Sequence, residues 1–127
     1  MLYFFDNPLN SQLSSKDLEI YRNDCIYIKR DDGSERVIYK KSVNLLNESF
    51  MIDFVFRDNQ LYIFNIESSE VQNVEADTLH QKWLEKNFGQ YKRWVGKELH
   101  HITNEYDFYS YYDPRSGSAE ILCKVLK

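Results

Sequence analysis

Near the middle of the chain stands the run Phe50-Met51-Ile52-Asp53-Phe54-Val55-Phe56, in which one polar residue interrupts six apolar ones. A short apolar segment of this kind, rich in aromatic residues, is typical of a strand at the centre of a sheet. We expect both faces of this strand to be covered, wholly or for the most part. A second alternating run, Leu61–Ile66, follows after the polar residues 57–60, so the two runs together predict a hairpin.

Further strands are predicted on both sides of this hairpin. The alternating segments are Asp24–Arg30, Glu35–Val43, Leu99–Thr103, Tyr106–Tyr112 and Ala119–Leu126. Asp32-Gly33 lies between the first two, and this dipeptide supplies the positive φ angles that a tight hairpin turn requires. Pro114 and Gly117 lie in the polar loop between the last two, which therefore predict another hairpin.

Residues 78–95 carry the clearest helical pattern. At 100° per residue, one half of the helical wheel holds Leu79, Trp83, Leu84, Phe88, Tyr91, Trp94 and Val95. Asp77 is a natural N-cap, and Gly96 is a natural residue to follow the last turn. Gly89 either lies inside this helix, at a cost of about 1 kcal/mol relative to Ala, or ends it after Phe88. Because the pattern keeps its phase across Gly89, we expect a continuous helix.

A shorter helix is expected near the N-terminus. Ser14 and Asp17 have the spacing of a capping box, and a brief helix can follow them through Tyr21. The order of elements is then a short helix, four strands, the long helix and two or three strands. This order predicts one α+β domain over residues 1–127, with an antiparallel sheet of about six strands and the long helix packed on one face.

Composition excludes several classes of protein. A net charge of −4 argues against a nucleic-acid binder, which needs a basic surface to displace counterions from phosphates. The N-terminal residues do not form a secretory signal, and no stretch approaches the ~20 apolar residues of a membrane span. We therefore expect a soluble, cytoplasmic protein. Cys25 and Cys123 match no metal or redox spacing, so free buried thiols are expected.

No motif for catalysis, a metal or a nucleotide is recognisable, and no cofactor is expected. His100 and His101 are adjacent, and adjacent residues in a strand point to opposite faces, so they cannot easily bind one ion. The helical zinc spacing of two histidines four residues apart is absent. The sequence therefore favours a non-enzymatic protein.

The feature that points to a partner is the uneven distribution of charge. Between Glu48 and Asp77, seven acidic residues stand against Arg57 alone, which gives a local charge of −6. In residues 78–97, five basic residues stand against one acidic residue, which gives +4. Like charges gathered on one surface favour an oppositely charged partner. The residues predicted to bind a partner are Glu48, Asp58, Glu67, Glu70, Glu75, Asp77, Tyr109, Tyr111 and Arg115.

Three hypotheses follow. The leading one is a protein-binding module with an acidic, tyrosine-bearing surface for a basic partner. Bacterial immunity-type proteins that neutralise a basic toxin, such as a nuclease, have this size and charge. The second is an α+β cone or barrel that binds a small ligand or acts as an enzyme, with Asp53 as a buried general base unless it is solvent-exposed or hydrogen-bonded. The third is a homo-oligomer subunit that uses the same surface on itself.

Overall fold

A nine-stranded antiparallel sheet forms the body of the protein, and the computed structural model describes residues 1–127 throughout. The strands are β1 (Tyr3–Phe4), β2 (Asn7–Pro8), β3 (Cys25–Lys29), β4 (Glu35–Tyr39), β5 (Val43–Leu45), β6 (Glu48–Arg57), β7 (Gln60–Ser68), β8 (Lys92–Val95), β9 (Glu98–Ile102), β10 (Tyr106–Asp113) and β11 (Ser118–Val125). The helices are α1 (Asn73–Phe88) and two 3₁₀ helices, Ser15–Asp24 and Gly89–Tyr91.

The strand order in the large sheet is β3-β4-β6-β7-β11-β10-β9-β8, and β5 pairs with β6 beside this path. β1 and β2 form a separate small hairpin. From β7 at the centre, α1 carries the chain over one face to the edge strand β8, and the chain then returns strand by strand to β11. The predicted α+β class is confirmed, but the prediction of about six strands is wrong, because short strands such as β5 and β8 are too brief to show alternation.

The long helix lies earlier than predicted. It spans Asn73–Phe88 rather than residues 78–95, so Asp77 is inside the helix and does not cap it. The α-helix ends at Gly89, whose N–H donates to the carbonyl of Glu85. Residues 92–95 instead form β8, in which Trp94 pairs with Leu99 of β9. No helix in the structure combines the length and the apolar character needed to cross a bilayer.

The predicted N-terminal helix is a 3₁₀ helix and not an α-helix. It runs from Ser15 to Asp24, and the N–H of Ser14 donates to the Asp17 carboxylate over 2.9 Å, as the capping box predicts. Leu18 is its one buried residue. Tyr21 is half-buried and packs its ring against Phe4 of the core at 5.1 Å, so few side chains anchor this segment and regular α-helical packing gains little here.

One face of the sheet, here called the inner face, carries the core. A row of paired residues crosses it from strand to strand: Val37, Phe54, Phe64, Cys123 and Phe108. These five side chains are fully buried. Both cysteines are free, as expected, but only Cys123 is buried as predicted, whereas Cys25 on the edge strand β3 is half-buried.

Two segments cover the inner face. From α1, the Trp83 ring meets the rings of Phe50 and Phe108, with centroids 5.0 and 6.2 Å apart. From the N-terminal segment, the Phe4 ring packs on Phe54 at 5.1 Å. Both covering segments therefore lie on the same side of the sheet.

The opposite face, here called the open face, has no second layer. The alternate residues of β6, Met51 and Asp53, point to this face and remain partly exposed. β6 is interior to the sheet, as predicted, but the expectation that its other face would be covered is wrong. The α-helix α1 and the N-terminal segment both pack on the inner face, so neither covers the open face.

Removing a ring from the central row should strongly destabilise the fold. Phe54 is 0% exposed, so Phe54→Ala should lower the free energy of unfolding by about 3–5 kcal/mol through lost burial and a residual cavity. Ile20→Ala is the control, because Ile20 is 80% exposed and its loss should change stability by less than about 0.5 kcal/mol. Urea denaturation of both variants measures this, and similar losses would contradict the assigned core.

His80 of α1 should make stability depend on pH. Its Nε2 accepts a hydrogen bond from the Ser68 N–H over 2.8 Å, and burial lowers its pKa from 6.5 to about 4. The unfolded chain therefore binds more protons between these values, so the free energy of unfolding should fall as the pH falls from about 6.5 to 4. The expected loss is on the order of 2–3 kcal/mol. Denaturation across this range should show a flatter profile for His80→Gln than for the wild type, and identical profiles would contradict the assignment.

Candidate functional site

Polar and aromatic side chains form a row across the open face. In register, Asp53 of β6 lies opposite Asn65 of β7, and Asn65 lies opposite Leu122 of β11. Leu122 in turn faces Tyr109 of β10, which faces His100 of β9. The row thus places residues that are distant in sequence on one surface, because paired residues of neighbouring strands point to the same side.

At one end of the row, Asp53 is held by two partners. Arg36 Nη2 donates to Asp53 Oδ2 over 2.8 Å, and Asn65 Nδ2 donates to Oδ1 over 3.0 Å. The Asp53 side chain is 12% exposed and that of Arg36 is 35% exposed. Of the alternatives considered for Asp53, the structure shows the hydrogen-bonded pair, so an isolated general base is not present at this position.

Next to this pair lie two further carboxylates. Burial raises the pKa of Glu67, and the nearby charges of Glu120 and Asp53 raise it further. Tyr111 donates its hydroxyl to the Glu120 carboxylate, and burial and this bond raise the pKa of the Tyr111 phenol. Three carboxylates thus lie close together with Arg36 as the cation among them, which leaves a local charge of −2.

An aromatic ridge continues the surface towards β9. The His100 ring stacks on Tyr109 with centroids 4.8 Å apart, and Tyr109 lies 5.7 Å from Tyr111. His100 Nδ1 is 2.6 Å from Asp107 Oδ1, and Nε2 is 3.3 Å from Glu98 Oε2. These contacts hold the rings in fixed positions on a face that no other element covers.

We call this surface the open-face patch and define it by its residues: Arg36, Asp53, Asn65, Glu67, Glu98, His100, Asp107, Tyr109, Tyr111 and Glu120. Of the residues predicted to bind a partner, the structure brings Glu67, Tyr109 and Tyr111 into it. The other predicted residues lie elsewhere.

The predicted acidic segment is not one surface. Glu48 begins β6, and Asp58 lies in the turn after its end. Glu70 lies in the loop before α1, while Glu75 and Asp77 belong to α1, on the other side of the sheet from the patch. Arg115 lies in the loop between β10 and β11, where its side chain is 92% exposed beside Asp113.

Seven residues of the patch were not among the predicted binding residues. These are Arg36, Asp53, Asn65, Glu98, His100, Asp107 and Glu120. A usable signal was present for Glu120, because pairing the two arms of the last hairpin places it opposite Tyr111. The contact between His100 and Asp107 depends on the pairing of β9 with β10. The residues that connect these two strands match no defined turn type, so the sequence does not predict the register of this pair.

The two histidines point to opposite faces. His100 lies in the open-face patch, whereas His101 pairs with Phe108 on the inner face and is buried there. Burial lowers the pKa of His101. The structure contains no group of three or more His, Cys, Asp or Glu side chains placed to hold a metal ion.

Three hollows differ in size and surroundings. A cleft of about 730 Å³ between α1 and β8–β9 is lined by Lys82, Trp94 and His101 and reaches Glu98 and Tyr111 of the patch. One of about 470 Å³ lies beside Asn73 and Ser116 and reaches Glu67. The hollow in the open-face patch, which includes Ile38, Met51 and Asp53, measures only about 80 Å³. Small-molecule sites usually measure about 300–1,000 Å³, so this hollow beside Asp53 is too small to enclose a ligand.

Comparison with protein-family models, curated proteins and solved structures finds no match for this chain. No relative therefore indicates what the protein does.

The Arg36–Asp53 pair should stabilise the fold mainly by avoiding a buried unpaired charge. Arg36→Met leaves the Asp53 carboxylate with Asn65 alone and should cost about 1–3 kcal/mol of unfolding free energy. Adding Asp53→Asn removes that charge and should recover part of the loss. Urea denaturation of the two variants at neutral pH tests this, and an equal loss in both would show that the charge of Asp53 is not the cause.

Proposed function

We propose that this protein is a non-enzymatic binding module whose open face binds a basic protein partner. In this role it acts as an immunity-type inhibitor in the bacterial cytoplasm, where it neutralises a basic toxin such as a nuclease. The observation that carries the proposal is the open-face patch, in which tyrosines and carboxylates lie together on a sheet face without a second layer.

The tyrosines of the patch suit an anchoring role. Tyr109 and Tyr111 are partly exposed, and each ring is held by a neighbour on the adjacent strand, His100 or Glu120. A side chain that is already ordered loses little conformational entropy on binding. Tyrosines at the centre of an interface supply a large apolar contact together with a hydroxyl, and such residues often dominate the binding energy.

The carboxylates of the patch suit the choice of a basic partner. Glu67 lies at the surface, and its raised pKa reflects first the partial burial of its carboxylate and then repulsion from Glu120 and Asp53. A lysine or arginine of a partner would relieve that repulsion, so association with a basic surface is favoured over association with a neutral one. The same field would accelerate encounter with the partner at low ionic strength.

The protein to test is a basic product of a neighbouring gene, because inhibitors are usually encoded beside what they inhibit. Binding to the immobilised partner, measured by surface plasmon resonance, should weaken as salt increases. Glu67→Lys should reduce the association rate constant by about three- to tenfold. Glu75→Lys is the matched control, since it makes the same change of charge on α1 and should have a much smaller effect.

A second pair of variants tests the anchors in the same experiment. Tyr109→Ala should weaken binding at least about tenfold, chiefly through faster dissociation. Tyr91→Ala, which removes a 52% exposed tyrosine at the end of the 3₁₀ helix Gly89–Tyr91, should leave the affinity unchanged. The proposal is wrong if no neighbouring basic product binds, or if the patch variants behave like their controls.

A further inference from the structure

One edge of the large sheet is left open for strand pairing. β3 is the terminal strand and pairs only with β4. Its central residues Ile26, Tyr27 and Ile28 are 46%, 39% and 40% exposed. The strand contains no Pro or Gly and one charged residue, Lys29, at its end. Natural sheets usually protect such an edge with charges, bulges or a covering element.

The opposite edge has that protection. β8 begins with Lys92 and Arg93, two adjacent charged residues in a strand of four. Charges of one sign repel a second copy of the same strand. The two edges therefore differ, and β3 is the one whose composition permits pairing.

The backbone of β3 shows which residues would bond to an added strand. The Lys40 N–H donates to the Asp24 carbonyl, and the Arg30 N–H donates to the Ser34 carbonyl. In an antiparallel pair the bonding residues alternate, so the even-numbered residues of β3 direct their N–H and C=O groups towards β4. The groups of Cys25, Tyr27 and Lys29 consequently point away from β4. The Cys25 N–H already donates to the Arg22 carbonyl, so the free groups are the Cys25 C=O and the N–H and C=O of Tyr27 and Lys29.

These free groups define a symmetric pairing with a second copy of β3. If two strands run antiparallel about a two-fold axis at Tyr27, then Tyr27 pairs with its own copy and Cys25 pairs with Lys29. Both kinds of pair use the free outward groups, which gives up to about four hydrogen bonds. In the same register, Ile26 of each copy lies opposite Ile28 of the other copy on the open face. The half-exposed apolar side chains therefore cover one another.

Charge is complementary in this register. Asp24 precedes β3 and Arg30 follows it, and the two are equally distant from Tyr27. Each copy would therefore place Asp24 opposite Arg30 of the other, on the same face as the isoleucines. A shift of register by two residues would lose both pairs and would leave Ile26 or Ile28 without its apolar partner.

From these observations we infer that the protein forms a symmetric dimer in which two copies of β3 pair antiparallel about Tyr27. The two sheets become one continuous sheet, with both copies of α1 on one side. Because the two-fold axis is perpendicular to the sheet, both open-face patches lie on the side opposite to α1 and stay uncovered. The patch begins at Arg36 on β4, opposite Ile28, but none of its residues lies on β3, so the inference does not depend on the proposed function.

Sedimentation equilibrium over a range of protein concentrations tests the dimer. The wild type should reach twice the chain mass of 15.3 kDa in a reversible, concentration-dependent manner. Tyr27→Pro removes an outward N–H but no bond to β4, so it should weaken dimerisation at least about tenfold while the monomer stays folded. Trp94→Ala on the opposite edge is the control and should leave the dimer unchanged.

A charge exchange provides a second test that does not depend on proline. Asp24→Arg and Arg30→Asp should each weaken the dimer by about three- to tenfold, because each places like charges opposite one another. The double variant restores opposite charges and should recover the affinity. The inference is overturned if the wild type stays monomeric, if Trp94→Ala breaks the dimer, or if the double variant is no better than the single ones.

Discussion

Packing against one face of the sheet is the constraint on which the rest of this structure depends. The central row of the inner face joins five strands through Val37, Phe54, Phe64, Cys123 and Phe108, all fully buried. α1 and the N-terminal segment both pack on this row or beside it. A chain of 127 residues has one long helix to use as cover, so burying the inner face leaves the other face of the sheet without a second layer.

The open face is consequently stabilised by contacts within the sheet. Hydrogen bonds join Arg36, Asp53 and Asn65 across three neighbouring strands. Tyr111 of β10 bonds to Glu120 of β11. Such lateral contacts satisfy polar groups without removing them from the surface. The same property makes the face a suitable binding surface, since its side chains are ordered before any partner arrives.

Charge in the sequence was a poor guide to charge on the surface. The acidic residues between Glu48 and Asp77 are consecutive along the chain, but the chain passes through β6, β7 and then α1 on the far side of the sheet. Of the residues in this segment that were predicted to bind a partner, only Glu67 lies in the open-face patch. Its acidic neighbour Glu120 comes from β11, more than fifty positions later, because β7 and β11 meet at the centre of the sheet.

Much of the local structure was determined by the sequence itself. An apolar run identified β6, and alternation identified β7, β10 and β11. Tyr109 and Tyr111 are two residues apart in β10 and therefore lie on one face, since successive side chains of a strand point to opposite sides. The end of α1 was decided by tertiary structure. Residues 92–95 keep the helical phase, yet they form β8 because β9 offers a pairing partner.

Tertiary structure also decided the strand order, and with it the open-face patch and the free edge at β3. Neither the meeting of β7 with β11 nor the exposure of Tyr27 at a sheet edge leaves a local signal. Both follow from the path of α1 across the sheet, and that path depends on burying Trp83 against Phe50 and Phe108. Contacts between residues so far apart in sequence depend on the whole chain, whereas a sequence pattern reports only on neighbours.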